Sequence, residues 1–285
     1  MRADAERASR YMLHKHVRSH DFSTYADLCC LQLKKKGRDI MLLRCIQSEN
    51  LKLRHSIIYL ACILLPIIPA IMGTFNYLQN IEILTKGWYS LWTQITLFYS
   101  TFFYAPLVGL YASYLWRLEH MGHNWNTIMS APVSIPCLYF GKLAIVFKVT
   151  IVTQVWISIL YFISGKFCHL PGFFPPDILI WIARGTLAAL AIGSLQLFLS
   201  MIIRNFAIPI GVALIGSVPA LIITKRNFEF FWPYSLMLVG MNSNKSLDAL
   251  TGMQNIIFFF VSVFAFFFLF YIIAIIYLKK TDVKS

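Results

Sequence analysis

From Ile256 to Leu278 the chain reads IIFFFVSVFAFFFLFYIIAIIYL without a single charge. About 20 such residues suffice for a helix to cross the hydrocarbon core of a bilayer. Backbone amides and carbonyls in hydrocarbon must be bonded within the protein, so helices and closed barrels are the only spanning structures. Five further apolar runs share this character, at about Ile57–Tyr77, Leu91–Leu115, Leu143–Ser164, Ile178–Ile203 and Ile208–Thr224. Together they predict an all-α polytopic membrane protein with six transmembrane helices. Only 13% of the 285 residues are charged, against about 25% in an average soluble domain. Little soluble surface is left to build from.

The runs carry their own punctuation. Pro66 and Pro69 bend the first, and Pro106 interrupts the second, which is rich in aromatics. Such breaks survive where neighbouring helices satisfy the freed carbonyls. The fourth contains ARGTLAALAIGS, small residues that allow close helix contact. With the N-terminus inside, the cytoplasmic segments hold Arg38, Arg44, Lys52, Arg54, Arg117, Lys142, Arg204, Lys279, Lys280 and Lys284. The outer loops then hold Lys86, Lys166, Lys225, Arg226 and Lys245. This excess of cations predicts both termini in the cytoplasm.

The net charge of +13 follows from the same topology, because the cations flank oily segments. It does not imply nucleic acid. Cys29, Cys30, Cys45, Cys62, Cys137 and Cys168 have no metal or redox spacing. Charges inside spans are functional suspects in lipid. Arg184 and Lys148 qualify, but each lies within about two turns of a span end, where a long side chain can snorkel to the headgroups. No acid lies mid-span, which leaves a proton- or sodium-driven relay without a carrier.

Residues 1–40 are polar, basic and weakly periodic, and no apolar core follows their first cations, so they do not read as a secretory signal. Translation from Met41 and a genuine cytoplasmic tail both fit. The division predicted is a 1–40 extension and a 41–285 membrane domain, the latter entered through an amphipathic segment at about Leu42–His55.

Between the second and third runs lies RLEHMGHNWNTIMSAPVSIPCLYFGKL, Arg117 to Leu143. Leu118, Met121, Trp125 and Ile128 recur at helical steps on one face, and Glu119, His123, Asn126 and Thr127 fall around the other. Pro132 closes that helix, and the chain returns through Pro136 to Lys142. A short amphipathic helix here has three readings: lying on the membrane, filling space under the bundle, or plugging a groove on a soluble partner. Metal is disfavoured. Glu119, His120 and His123 have the wrong order and spacing for a zinc protease, and no third ligand follows.

The order SENLKLRHS before the first span, then LEHMGHNWNTIMSAPVSIPCLYFGKL after the second, resembles the membrane subunits of type-2 ABC exporters. Within that superfamily it is most similar to the lantibiotic-immunity permeases of Gram-positive bacteria, which carry E, H and W ahead of P. Those positions here are Glu119, His120 or His123, Trp125 and Pro132, with Lys142 ending the motif. The resemblance covers about 41–285.

What it implies is specific. The polar island would be a coupling helix docked into a nucleotide-binding subunit, with Glu119, His120, Met121, His123, Trp125 and Ile128 at the contact. Leu42–His55 would be an interfacial elbow helix. The stretch between spans five and six, KRNFEFFWPYSLMLVGMNSNKSLDALTGMQN, would form outer half-helices. An ordinary outer loop is the competing expectation there. No G-x-x-x-x-G-K-[ST] phosphate loop occurs, so ATP and magnesium would sit on a partner. The expected partners are two ATP-binding cassette subunits, a second permease (identical or homologous), membrane lipid and the cargo, in a bacterial plasma membrane. For the immunity branch that cargo would be an amphipathic antimicrobial peptide. Tyr99, Phe102, Phe103, Tyr104, Phe231 and Trp232 are the candidate contacts. Another lipid-like or drug cargo such as bacitracin is the nearest alternative. A lipid-modifying membrane enzyme is more distant, because His169 and Asp177 are too sparse to make a catalytic cluster. A sensor subunit is equally distant, since no soluble domain is appended.

Overall fold

The computed structural model describes residues 41–53, 56–120, 133–245 and 248–282. The chain divides into two units, Met1–Arg44 and Cys45–Ser285, and of the first only 41–44 are described. Every described element is helical, and six helices are long and apolar enough to cross a membrane. The protein is an all-α polytopic membrane protein.

Helix α1 covers 41–52. Span one follows as α2 (Ile58–Leu64) and α3 (Ile67–Gln79), split at Pro66. Pro69 sits in the first turn of α3, where its missing amide has no helical partner to lose. Span two is α4 (Trp88–Phe98), a π-helical stretch at Tyr99–Phe103, and α5 (Tyr104–His120) as far as Arg117. The widened turns end just before Pro106, which cannot donate a hydrogen bond to the Phe102 carbonyl. The proline therefore loosens span two without breaking it.

Span three, α6 (Ile135–Phe167), begins about two turns earlier than its hydropathy predicts. Pro136 starts this helix at its first turn, so it is not part of a polar return loop. Lys142 delayed the predicted start because it is charged, yet it lies inside the helix with its charge matched by carboxylates. Span four, α7 (Asp177–Ile202), is central and packs against α5, α6 and α11. Span five is α8 (Ala207–Ser217) and α9 (Ala220–Lys225), divided before Pro219. Span six, α11 (Met253–Asp282), leans on α7 and leaves most of its surface outside.

Between spans five and six a 3-10 turn (Glu229–Phe231) leads into α10 (Ser235–Gly240), every residue of which is buried. Burial runs from Pro233 to Ser243. This segment enters the bundle rather than covering it as a surface loop. Glycine makes the entry possible: a Cβ on Gly185 would lie 2.3 Å from Met241 Cγ, and one on Gly240 would lie 3.0 Å from the Arg184 carbonyl carbon. Trp92 Nε1 donates to the Met241 carbonyl at 2.8 Å, Ser100 and Ser243 share a hydrogen bond of 2.9 Å, and Gln196 donates to the Tyr234 hydroxyl at 2.8 Å.

Candidate functional site

Cys45, Glu49 and Lys52 follow one another at helical spacing on α1 and so share a face. Gly141 of α6 opens room for that face, since a Cβ there would already touch Cys45 Cβ at 3.3 Å. The contact carries Glu49 into the bundle, where it is 2% exposed. Glu119, on the last turn of α5, is equally buried, and Lys142 of α6 is fully buried between them.

Lys142 Nζ donates to Glu49 Oε2 at 2.9 Å and to Glu119 Oε1 at 2.6 Å. Lys52 Nζ closes the ring from the outside, donating to Glu49 Oε1 at 2.7 Å and to Glu119 Oε1 at 2.5 Å. The Lys142 ammonium also lies 5.0 Å from the centre of the Trp116 ring, a favourable cation–π placement. Two carboxylates and two ammonium groups leave the cluster neutral. That neutrality is what permits burial, because an unpaired ion in a dry interior is strongly penalised. Burial pushes the Glu119 carboxyl up, but Lys142 and then Lys52 outweigh it and hold the group below its ordinary value. For Lys52 burial pulls down, and Glu49 with Glu119 lifts the ammonium above its ordinary value.

The cluster thus joins three elements: the helix before span one, the end of span two and the start of span three. The latter two flank residues 121–132. His120 adds a tie to span four, its Nε2 lying 3.2 Å from the Ser200 carbonyl oxygen.

The sequence model described as "ABC-2 family transporter protein" matches residues 45–220, which contain all four ions of the cluster. The chain belongs to the ABC-2 transporter family. It is a permease subunit of an ABC transporter, and membership implies an ATP-binding partner subunit. No curated protein and no solved structure matches it.

In this ABC-2 permease the predicted coupling residues divide. Glu119 faces inward onto two lysines, and His120 is half-buried against span four. Met121, His123, Trp125 and Ile128 lie outside the described residues. Among the aromatics, Tyr99 and Tyr104 are sealed inside at 0% exposure, and Phe103 is half-buried. Phe102, Phe231 and Trp232 carry exposed area.

Both intramembrane cations have polar partners that hydropathy alone does not reveal. Arg184 Nη1 reaches both oxygens of Asp248 at 2.9 Å, and Lys148 Nζ donates to Asn50 Oδ1 on α1 at 2.7 Å. Lys148 is therefore a further tie to the elbow. Sequence reasoning passed over Glu49 and Lys52 and read Lys142 as the end of a loop motif. A signal was present: Glu49 is the only acid between Asp39 and Glu82, and Glu119 the only one between Glu82 and Asp177.

Proposed function

We propose that this permease is the membrane half of an ATP-driven exporter in which residues 118–128 form the helix gripped by the ATP-binding subunit. The observation carrying this is the Lys142-centred cluster. A push on 121–132 would reach α1, span two and span three together, because Glu119 and Lys142 close both ends of that segment onto Glu49 and Lys52. Glu119 then acts as a positioning residue inside the lever, and the contact surface falls to His120, Met121, His123, Trp125 and Ile128. Two ATP-binding subunits, carrying ATP and magnesium, would close and rock a pair of six-span bundles as rigid bodies. The second bundle is a copy or a homologue, and this end of the molecule faces the cytoplasm.

The cargo proposed is an amphipathic antimicrobial peptide of the lantibiotic kind, taken from the outer leaflet and expelled. Phe102, Phe231 and Trp232 are its contacts, since they are the exposed members of the six candidate aromatics. The test uses the double variant Glu119→Gln/Lys142→Met, which removes one charge of each sign and leaves Glu49 and Lys52 paired. In the reconstituted complex it should keep basal ATP hydrolysis and lose most peptide-stimulated hydrolysis and peptide resistance in cells. Full stimulation in that variant would refute the lever. Resistance to bacitracin but not to lantibiotics in the wild type would move the cargo to the drug class.

A further inference from the structure

At the same end of the bundle, Arg117 and Glu119 diverge by about 200° on α5, from 3.6 residues per turn. Glu119 enters the cluster, while Arg117 faces a separate cleft. That cleft has a volume of about 550 Å³ and is lined by Arg117, His120, Arg204, Asn205, Phe206 and Ala207. Among the described residues no carboxylate lines it and neither Arg117 nor Arg204 makes an ion pair. Arg184, by contrast, holds Asp248 with two bonds. The Arg117 guanidinium is instead laid over the Phe206 ring, 5.3 Å from its centre. The segment that follows adds no acid, for between Glu119 and Asp177 the sequence has none.

Depth decides what such a cleft meets. Arg117 ends span two, Ile202 ends span four and Ala207 begins span five, so the cleft lies where hydrocarbon gives way to headgroups. In the chain Ile202 and Ile208 bracket the lining stretch Arg204–Ala207, and they are 40% and 48% exposed, apolar surface next in sequence to the cationic residues. We propose that this cleft binds the phosphate of an anionic phospholipid, with Arg117 and Arg204 as its ligands. Guanidinium forks match phosphate oxygens in pairs and are weakly hydrated, which suits a partly desolvated site. The acyl chains run along Ile202 and Ile208, where an acidic protein partner or free phosphate would leave apolar surface uncovered. The inference rests on the six spans and the cleft and is independent of the cargo; it shares His120 with the proposed ATP-binding-subunit contact, but its ligands, Arg117 and Arg204, are not part of that contact.

The test takes the purified full chain into nanodiscs of phosphatidylcholine alone, or of phosphatidylcholine with phosphatidylglycerol, and counts retained lipid by native mass spectrometry. Wild type should retain phosphatidylglycerol in preference to phosphatidylcholine. Arg117→Gln/Arg204→Gln should lose that preference by roughly tenfold or more, on the scale of lost charge-assisted hydrogen bonds. Arg117→Lys/Arg204→Lys should restore part of it, which shows that the fold survives. Lys225→Gln/Arg226→Gln, altering cations at the other end, should change nothing. Equal retention of both lipids by wild type overturns the proposal, as does an unchanged preference in the glutamine variant. Displacement of phosphatidylglycerol by millimolar inorganic phosphate would assign the cleft to free phosphate instead. Loss of binding to the ATP-binding subunit with lipid preference intact would make it a protein contact.

Discussion

The two ends of this permease hold their chain with the same kind of ions in different numbers. At the elbow end, four charged side chains form one ring, three of them 3% exposed or less. At the other end the pair Arg184 with Asp248 secures the inserted segment, its side chains 14% and 33% exposed. Water reaches the second and is nearly excluded from the first. A dry ring contributes little net stability over an apolar replacement but is costly to leave incomplete, whereas a wet pair is cheap to lose. The elbow end is therefore fixed in register, and the inserted segment is held chiefly by packing.

The largest effect that separates them is loss of Lys142. Lys142→Met leaves Glu49 and Glu119 buried with only Lys52 to share, and should cost about 3–5 kcal/mol. Thermal unfolding in detergent would record it, and Glu119→Gln added to Lys142→Met should return most of the loss. No recovery in the double variant would mean that the ring is not the unit described. Packing comes next. Gly73→Ala puts a Cβ 2.4 Å from the Ile95 Cα, against backbone that cannot turn aside, and should cost about 1–3 kcal/mol. Gly185→Ala meets the flexible Met241 side chain instead and should cost less. Equal losses would show that the inserted segment is as rigid as the contact between spans one and two.

Much of this was legible. Length and hydropathy give six spans, because lipid leaves few alternatives to a helix. The proline breaks at Pro66 and Pro106 and the small-residue face at Gly185 could be read from residue chemistry. The partners of Glu119 could not. Helical periodicity tells which residues share a face and is silent on which distant faces meet, so Glu49, some 70 positions away, stayed unread. Lys142 misled for a related reason: a lysine signals a span end unless its counter-ions are known. The inserted α10 was harder still. Its six residues, SLMLVG, follow Pro233 and are too few to show a period; packing against span four buries them, with Tyr234 and Met241 held on either side by Gln196 and Trp92. Span two is aromatic on several sides, so sequence could not separate the sealed Tyr99 and Tyr104 from the exposed Phe102.

A smaller effect tests the wet pair. Asp248→Asn removes the carboxylate opposite Arg184 and should lower global stability by about 1 kcal/mol or less. Its signature should be local, as faster hydrogen exchange across 233–250 with the elbow helix unchanged. Faster exchange in α1 would imply that the two ends are coupled through span four.

The smallest effect is the shape of stability against pH, where the two ion clusters behave alike in acid and differ in alkali. Glu119 and Asp248 are both held below the ordinary carboxylate value, the first by Lys142 and Lys52 against burial, the second by the Leu250 amide and Arg184 against burial. Each contributes fully above the ordinary value of about 4 and is lost as pH falls through its lowered one. Acid therefore weakens both ends. Lys52 is held above its ordinary value by the two glutamates, so its contribution is complete below about pH 10 and is lost as pH rises further. The guanidinium of Arg184 does not titrate in that range, so the pair that holds the inserted segment is not loosened by alkali. Lys52→Gln should accordingly reduce the alkaline slope of the melting temperature and leave the inserted segment's exchange unchanged. An undiminished slope would show that the outer lysine, the one ion in the ring that water reaches, adds nothing to the three that are dry.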